Sequence, residues 1–244
     1  MTRSALAALL LGLAAAPAQA TCRDVSFETI PITTCTVTAG QDLRLFLTDE
    51  EGQIYGSFGR IEAALQAEGK ALVFAMNAGM FHADRAPVGL YVEDHQQQAR
   101  IVTREGPGNF GMLPNGVFCI GEDRFSVLES RAYADAPPDC RFATQSGPMM
   151  VIDGDLHPRF LPDSDSLHLR NGVGVSDDGR TAFFAISDQP ISFHQFARFF
   201  RDALGVNWAL YLDGSVSRLY APELGRSDWG MSMGPVVGLV APMD

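Results

Sequence analysis

The chain has 244 residues, a formal net charge of −11 and a single lysine, Lys70. So acidic a sequence, with no basic run, is a poor match for nucleic acid or for an anionic membrane surface. Any anionic ligand has to be held by individual arginines and backbone amides, because the overall field repels it.

Residues 1–20 read as a secretory leader. Arg3 supplies the positive start, residues 6–16 form an apolar run too short to span a bilayer, and Ala18-Gln19-Ala20 is a small-x-small cleavage site. Cleavage after Ala20 predicts an exported, periplasmic protein of residues 21–244, organised as one domain. No later stretch is long and apolar enough for membrane insertion. Thr21 precedes Cys22 where a lipidation site wants a very small apolar residue, so a lipid anchor is not expected. Cys22, Cys35, Cys119 and Cys140 remain, and in an oxidising compartment they predict two disulfides. Three connectivities are open, of which the pairing of sequence neighbours is the economical one.

Short strands dominate the rest. Residues 43–47 alternate and turn towards 54–56, and a helix is expected over 59–68 with Gly69 as its stop. The continuous apolar run 71–76 predicts a strand buried on both faces. Further strands are expected at 89–92, 99–103, 117–120 and 125–129, and a hairpin over 173–186 turns at Asp177-Asp178-Gly179. Ser192 and Gln195 form a capping-box pattern that opens a helix ended by Gly205. The apolar strand 208–212 then runs into Asp213-Gly214-Ser215, which taken locally reads as a hairpin turn onto 216–220. Many strands with two helices predict an α+β fold, a curved, largely antiparallel sheet or sheets with a few packed helices.

Four segments put polar groups and glycines beside apolar strands. They are Asn77-Ala78-Gly79-Met80-Phe81, Thr144-Gln145-Ser146-Gly147-Pro148, Arg170-Asn171-Gly172-Val173-Gly174 and Tyr211-Leu212-Asp213-Gly214-Ser215. Glycine beside a polar residue lets backbone approach a ligand closely. Each residue also has a plainer role: Asn77 can cap its loop, Ser146 can be a strand-edge serine, and Arg170 can pair on the surface with Asp163, Asp165 or Asp177.

Taken together and in this order, the four segments resemble the phosphodiester glycosidase family from about residue 43 to the end, closest to its short bacterial periplasmic members. The family's late motif is usually L-D-G-G-G-S, whereas Ser215-Val216-Ser217 follows Asp213-Gly214 here; its Arg-led segment usually continues with Thr or Ser, whereas Asn171 follows Arg170. The resemblance implies a hydrolase acting on a small-molecule or glycan substrate that carries a phosphodiester. Asp213 then acts at the anomeric carbon and Arg170, by its planar fork of donors, binds phosphate. Ser146 and the Gly147 amide add donors, Asn77 bonds a sugar hydroxyl or orients Asp213, and Phe81 offers a face to the sugar ring. Gly79, Gln145, Gly214 and Ser215 complete the expected substrate-binding set.

No cofactor is expected. The Asp153-Gly154-Asp155 and Asp163-Ser164-Asp165 segments are compatible with calcium without requiring it; the central glycine and the terminal bidentate glutamate of an EF-hand loop are missing. A serine hydrolase built on Ser146 or Ser215 fits poorly, because neither sits in a G-x-S-x-G elbow. The non-enzymatic alternative is an envelope glycan-binding protein that keeps the cleft without turnover.

Overall fold

Residues 21–214 and 216–243 are described by the structure, a computed structural model. In chain order its elements are β1 (Thr21–Phe27), β2 (Ile30–Thr38), β3 (Asp42–Phe46), α1 (Phe58–Ala67), β4 (Lys70–Asn77), β5 (Tyr91–Glu93), β6 (Gln96–Ala99), β7 (Gly116–Ile120) and β8 (Phe125–Glu129). Then come α2 (Ser130–Asp135), β9 (Phe142–Ser146), β10 (Met149–Ile152), β11 (Asp155–Leu156), β12 (Asn171–Val175), β13 (Thr181–Ser187) and α3 (Phe193–Arg198), which runs on as a π-helical turn, Phe199–Ala203. The chain closes with β14 (Trp208–Asp213), β15 (Leu219–Ala221), β16 (Arg226–Ser227) and β17 (Val236–Pro242).

The strands make three antiparallel sheets. Their orders are β1-β2-β13-β12-β14-β10-β11, β16-β15-β4-β17-β3 and β6-β5-β9-β7-β8. One apolar core lies among all three, with Phe74 and Leu239 from the second sheet, Phe118 and Phe142 from the third, and Phe184 and Leu210 from the first. Each sheet turns its other face to a helix. Phe58, Ile61 and Leu65 of α1 cover the second sheet, and Phe196 of α3 with Phe200 of the π-helical turn cover the first. Tyr133 of α2 covers the third beside the bonded Cys119 and Cys140. The largely antiparallel α+β architecture expected from the sequence is the one observed.

Local signals act as read. Ser192 accepts from the Gln195 amide and Gln195 reaches back to the Ser192 amide, closing the capping box. Gly205 takes the left-handed conformation that ends the helix. Gly172 and Gly174 let α3 lie on β12, since a Cβ at Gly174 would come 2.8 Å from Phe200 Cδ1. The cysteines are joined as sequence neighbours, Cys22 to Cys35 and Cys119 to Cys140. Among the described residues no helix is long and apolar enough to cross a membrane.

Three expectations fail. Where two helices were expected there is a third, α2, opened by the Glu129 side chain, which accepts the Arg131 and Ala132 amides. Residues 100–103 leave the sheet after β6, because the Gln145 side chain takes both the Val102 amide (2.9 Å) and the Val102 carbonyl (2.6 Å) in place of a strand partner. More consequentially, the Asp213-Gly214 junction does not close a hairpin. β14 pairs with β10 and β12 in the first sheet, whereas β15 pairs with β4 and β16 in the second. The chain changes sheets at Asp213.

Candidate active site

The change of sheet puts Asp213 where strand ends of all three sheets meet. Asn77 ends β4, Asn171 begins β12, Ser146 ends β9 and Asp213 ends β14. The two asparagines, both without solvent exposure, form a reciprocal pair. Asn171 Nδ2 donates to the Asn77 carbonyl (2.9 Å) and Oδ1 (3.0 Å), and Asn77 Nδ2 donates back to Asn171 Oδ1 (3.2 Å). Buried amides pay a desolvation cost unless each donor and acceptor is met, so this pair is a rigid pin between two sheets.

The pin holds the loop. Asn171 Oδ1 also accepts the Asp213 amide (2.9 Å), and Asn77 Oδ1 accepts the Arg218 amide (3.0 Å). The Asp213 carboxylate accepts the Gly214 amide (2.6 Å), its carbonyl accepts the Ser217 hydroxyl (2.9 Å), and Ser146 Oγ donates to the Leu212 carbonyl (2.7 Å). Asp213 keeps 8% of its surface exposed. The result is a carboxylate at a cleft edge whose backbone is fixed on both sides, as a reacting group requires.

Arg170 directly precedes Asn171, the residue that pairs with Asp213, and is not on the surface. It is wholly buried, Nε donates to the Ile191 carbonyl (2.8 Å) and Nη2 to the Ser166 carbonyl (2.9 Å). Its guanidinium lies 3.6 Å from the Phe193 ring centroid and 5.6 Å from that of Tyr211. Nη1 is buried without a hydrogen-bond partner. The surface pairing with Asp163, Asp165 or Asp177 therefore does not form. The wall continues as an aromatic column, Tyr211 against Phe193, Phe193 stacked on Phe160, and Phe160 stacked on His157. Burial raises the Tyr211 phenol well above its ordinary pKa; the Arg170 charge opposes the rise and Asp213 adds to it. Burial likewise presses the Arg170 guanidinium down, with Tyr211 opposing.

The other expected residues divide between frame and loop. The Gln145 side chain is fully committed, accepting from the Leu90 and Val102 amides and donating to the Val102 carbonyl and Ser130. Gly79 lies against Thr144 and Gln145, and Gly147 against Asn115, where a Cβ would come 2.6 Å from that residue's own. Gly214 has no room for a Cβ beneath the Tyr211 hydroxyl. Phe81 is half-buried, with the Arg85 guanidinium 5.3 Å from its ring centroid. Ser215 lies outside the described residues. Asp153-Gly154 forms the two-residue turn between β10 and β11, and among the described residues no group of three His, Cys, Asp or Glu is placed to hold a metal ion.

Comparison with known proteins decides the family. The model of the phosphodiester glycosidase family matches residues 70–229, which include every one of these strand ends. The chain belongs to the phosphodiester glycosidase family. Another similar protein is the Escherichia coli (strain K12) uncharacterized protein YigE, 34% identical over 178 residues that span 73% of this chain and 69% of the relative. The fold of this chain is similar to that of the zebrafish N-acetylglucosamine-1-phosphodiester alpha-N-acetylglucosaminidase catalytic domain, auto-inhibited by its pro-peptide. The match has a TM-score of 0.58 at 13% identity and covers 91% of this chain and 82% of that one. A hypothetical protein from Synechocystis matches with a TM-score of 0.56 at 13% identity, over 91% of this chain and 62% of its own.

Sequence reasoning missed Asn171, Tyr211 and Ser217. Asn171 was visible only as a departure from the family's usual Thr or Ser, and its bond to the Asp213 amide explains why a side-chain acceptor is needed there. Tyr211 was hidden by its place in an apolar strand.

Proposed function

We propose that this chain is an exported hydrolase that cleaves a glycosyl phosphodiester, or a related cell-envelope glycan, with Asp213 acting at the anomeric carbon. The observation that carries the reading is the clamped carboxylate: backbone held by Asn171 and Ser217, one oxygen met by the Gly214 amide, at the junction of three sheets. Family membership supports the reaction type, and two disulfides support an oxidising compartment. A phosphate monoester leaves readily, so the acid member of the usual carboxylate pair is less necessary. What remains is to stabilise or attack the oxocarbenium-like carbon, a task for a fixed carboxylate. Arg170, expected to bind phosphate, is wholly buried and holds its charge in the wall on Phe193 and the Ile191 and Ser166 carbonyls, so direct phosphate contact is not assigned to it. Asn77 and Ser146 hold the frame.

The competing reading, a glycan-binding protein without turnover, draws on one observation. Val216, in the stretch where the family carries glycines, is packed into the apolar cluster under α1, so the loop after Asp213 is anchored by a side chain. An assay of the mature protein against a panel of sugar-1-phosphodiesters separates the two. Turnover that falls on the order of a thousandfold or more in Asp213→Asn, with the fold retained, supports the enzyme. Sugar-phosphate binding by the parent protein without turnover would leave the binding protein standing.

A further inference from the structure

A second arginine lies on the open side of the Asp213 loop. A cleft of about 510 Å³ is lined there by Leu169, Ser217, Arg218, Asp188, Asp228 and Trp229, among others. It shares a wall with the reacting loop. Ser217 donates to the Asp213 carbonyl, and the Leu169 carbonyl closes on Gly214.

Arg218 is only 9% exposed, and its backbone amide is fixed on Asn77. Among the described residues the only Arg218 hydrogen bond is that of its backbone amide, and its guanidinium makes no ion pair, though the Asp228 charge is near enough to favour its charged form. The neighbouring carboxylates are already engaged. Asp188 and Asp228 both pair with Arg226, the latter at 2.9 Å, and Asp228 also accepts the Leu219 amide at 3.0 Å. Gly230 packs its backbone over the guanidinium, where a Cβ would come 2.5 Å from Nη2 and push the arginine aside. A guanidinium held largely out of water without an acceptor carries an unreturned desolvation cost, which a bound oxyanion returns through two parallel hydrogen bonds. In a chain with net charge −11, such a placed arginine is the means of holding an anion that the overall field repels.

Two exposed apolar side chains stand at this otherwise mostly polar cleft. Trp229 is 93% exposed and Leu169 40% exposed, both lining it. A tryptophan so open to water at a cleft mouth marks a surface that another apolar group covers.

We propose that this cleft is the leaving-group subsite: Arg218 grips the phosphate, and Trp229 with Leu169 receives an apolar alcohol esterified to it. The inference rests on the reading of Asp213 as the reacting carboxylate. In the reaction the bond from the anomeric carbon to the phosphate oxygen breaks, and that oxygen keeps the electron pair. Water supplies the hydroxyl on the sugar and its other proton passes to the departing phosphate or to solvent. The substrate class is accordingly a glycosyl phosphate ester of an apolar alcohol.

Calorimetric titration of the full mature protein with hexyl phosphate and with inorganic phosphate tests it, because neither probe needs turnover. Hexyl phosphate is expected to bind the parent and Asp213→Asn alike, about tenfold tighter than inorganic phosphate. Arg218→Gln is expected to weaken both probes by about tenfold or more. Trp229→Ala should abolish the preference for the hexyl group and leave inorganic phosphate unchanged. Equal binding of both probes by the parent and Arg218→Gln overturns the inference. Should Arg218→Gln fail to fold, tryptophan fluorescence of the parent against Trp229→Phe decides: a hexyl phosphate response in the parent that Trp229→Phe lacks supports the subsite, and no response at saturation overturns it. Turnover that survives Arg218→Gln but not Asp213→Asn removes this inference and leaves the catalytic reading. Binding without turnover does the reverse.

Discussion

Two arginines flank the Asp213 loop and serve opposite ends. Arg170 is wholly buried, sandwiched on Phe193 and bonded to two carbonyls, so its charge is built into the wall. Arg218 is nearly as buried but, among the described residues, its guanidinium makes no hydrogen bond or ion pair and feels only the nearby Asp228 charge. The same side chain is thus structural where acceptors surround it and available where they have been engaged by another cation. The difference is set by neighbours: Ile191 and Ser166 offer carbonyls to Arg170, while Arg226 holds both carboxylates next to Arg218.

The contrast can be broken by substitution. Arg170→Met strips donors from the Ile191 and Ser166 carbonyls and removes the stacked charge, and should cost about 3–5 kcal/mol in urea unfolding. A loss under about 1 kcal/mol would show that Arg170 is not part of the frame. Asn171→Ala comes next. It leaves the Asp213 amide and Asn77 Nδ2 without their Asn171 acceptor, for an expected loss of about 2–3 kcal/mol. With it should go the positioning of the carboxylate, seen as a fall in kcat larger than any change in KM.

A smaller effect is expected at the far end of the aromatic column. Burial lowers the His157 pKa, and the nearby Arg159 charge lowers it further, against a hydrogen bond to the Leu113 carbonyl that raises it. The folded state therefore binds fewer protons than the unfolded chain between the depressed pKa and the ordinary value of 6.5. Stability from this group is complete above that ordinary value and is lost as pH falls through the folded pKa. The melting temperature of the parent should drop over that window more than that of His157→Phe; parallel curves would remove His157 from the account. The smallest change belongs to Arg218→Gln, whose unfolding free energy should stay within about 1 kcal/mol of the parent because its guanidinium makes no hydrogen bond among the described residues.

Much of the frame was legible residue by residue. The capping box of Ser192 and Gln195, the stop at Gly205, the buried strand at β4 and the pairing of neighbouring cysteines all act as read. The four polar segments were legible as a set, and all four strand-end positions, Asn77, Ser146, Asn171 and Asp213, lie in them in order. Their individual roles were not. Gln145 looked like a ligand residue and is a staple for Val102, and the glycines after Asn171 serve the packing of α3.

The sequence by itself determined what depends on a few neighbours in the chain: turns, caps, helix stops and the apolar strand that ends at Asp213. Tertiary structure decided that this strand end crosses between sheets, that Asn77 meets Asn171 from 94 residues away, and that Asn171 reaches the Asp213 amide across 42. A local Asp-Gly signal favours a hairpin because only backbone torsions are counted. The hairpin loses here because β15 finds its hydrogen-bond partners on β4, and those partners are set by burial of a core that no short stretch of sequence contains.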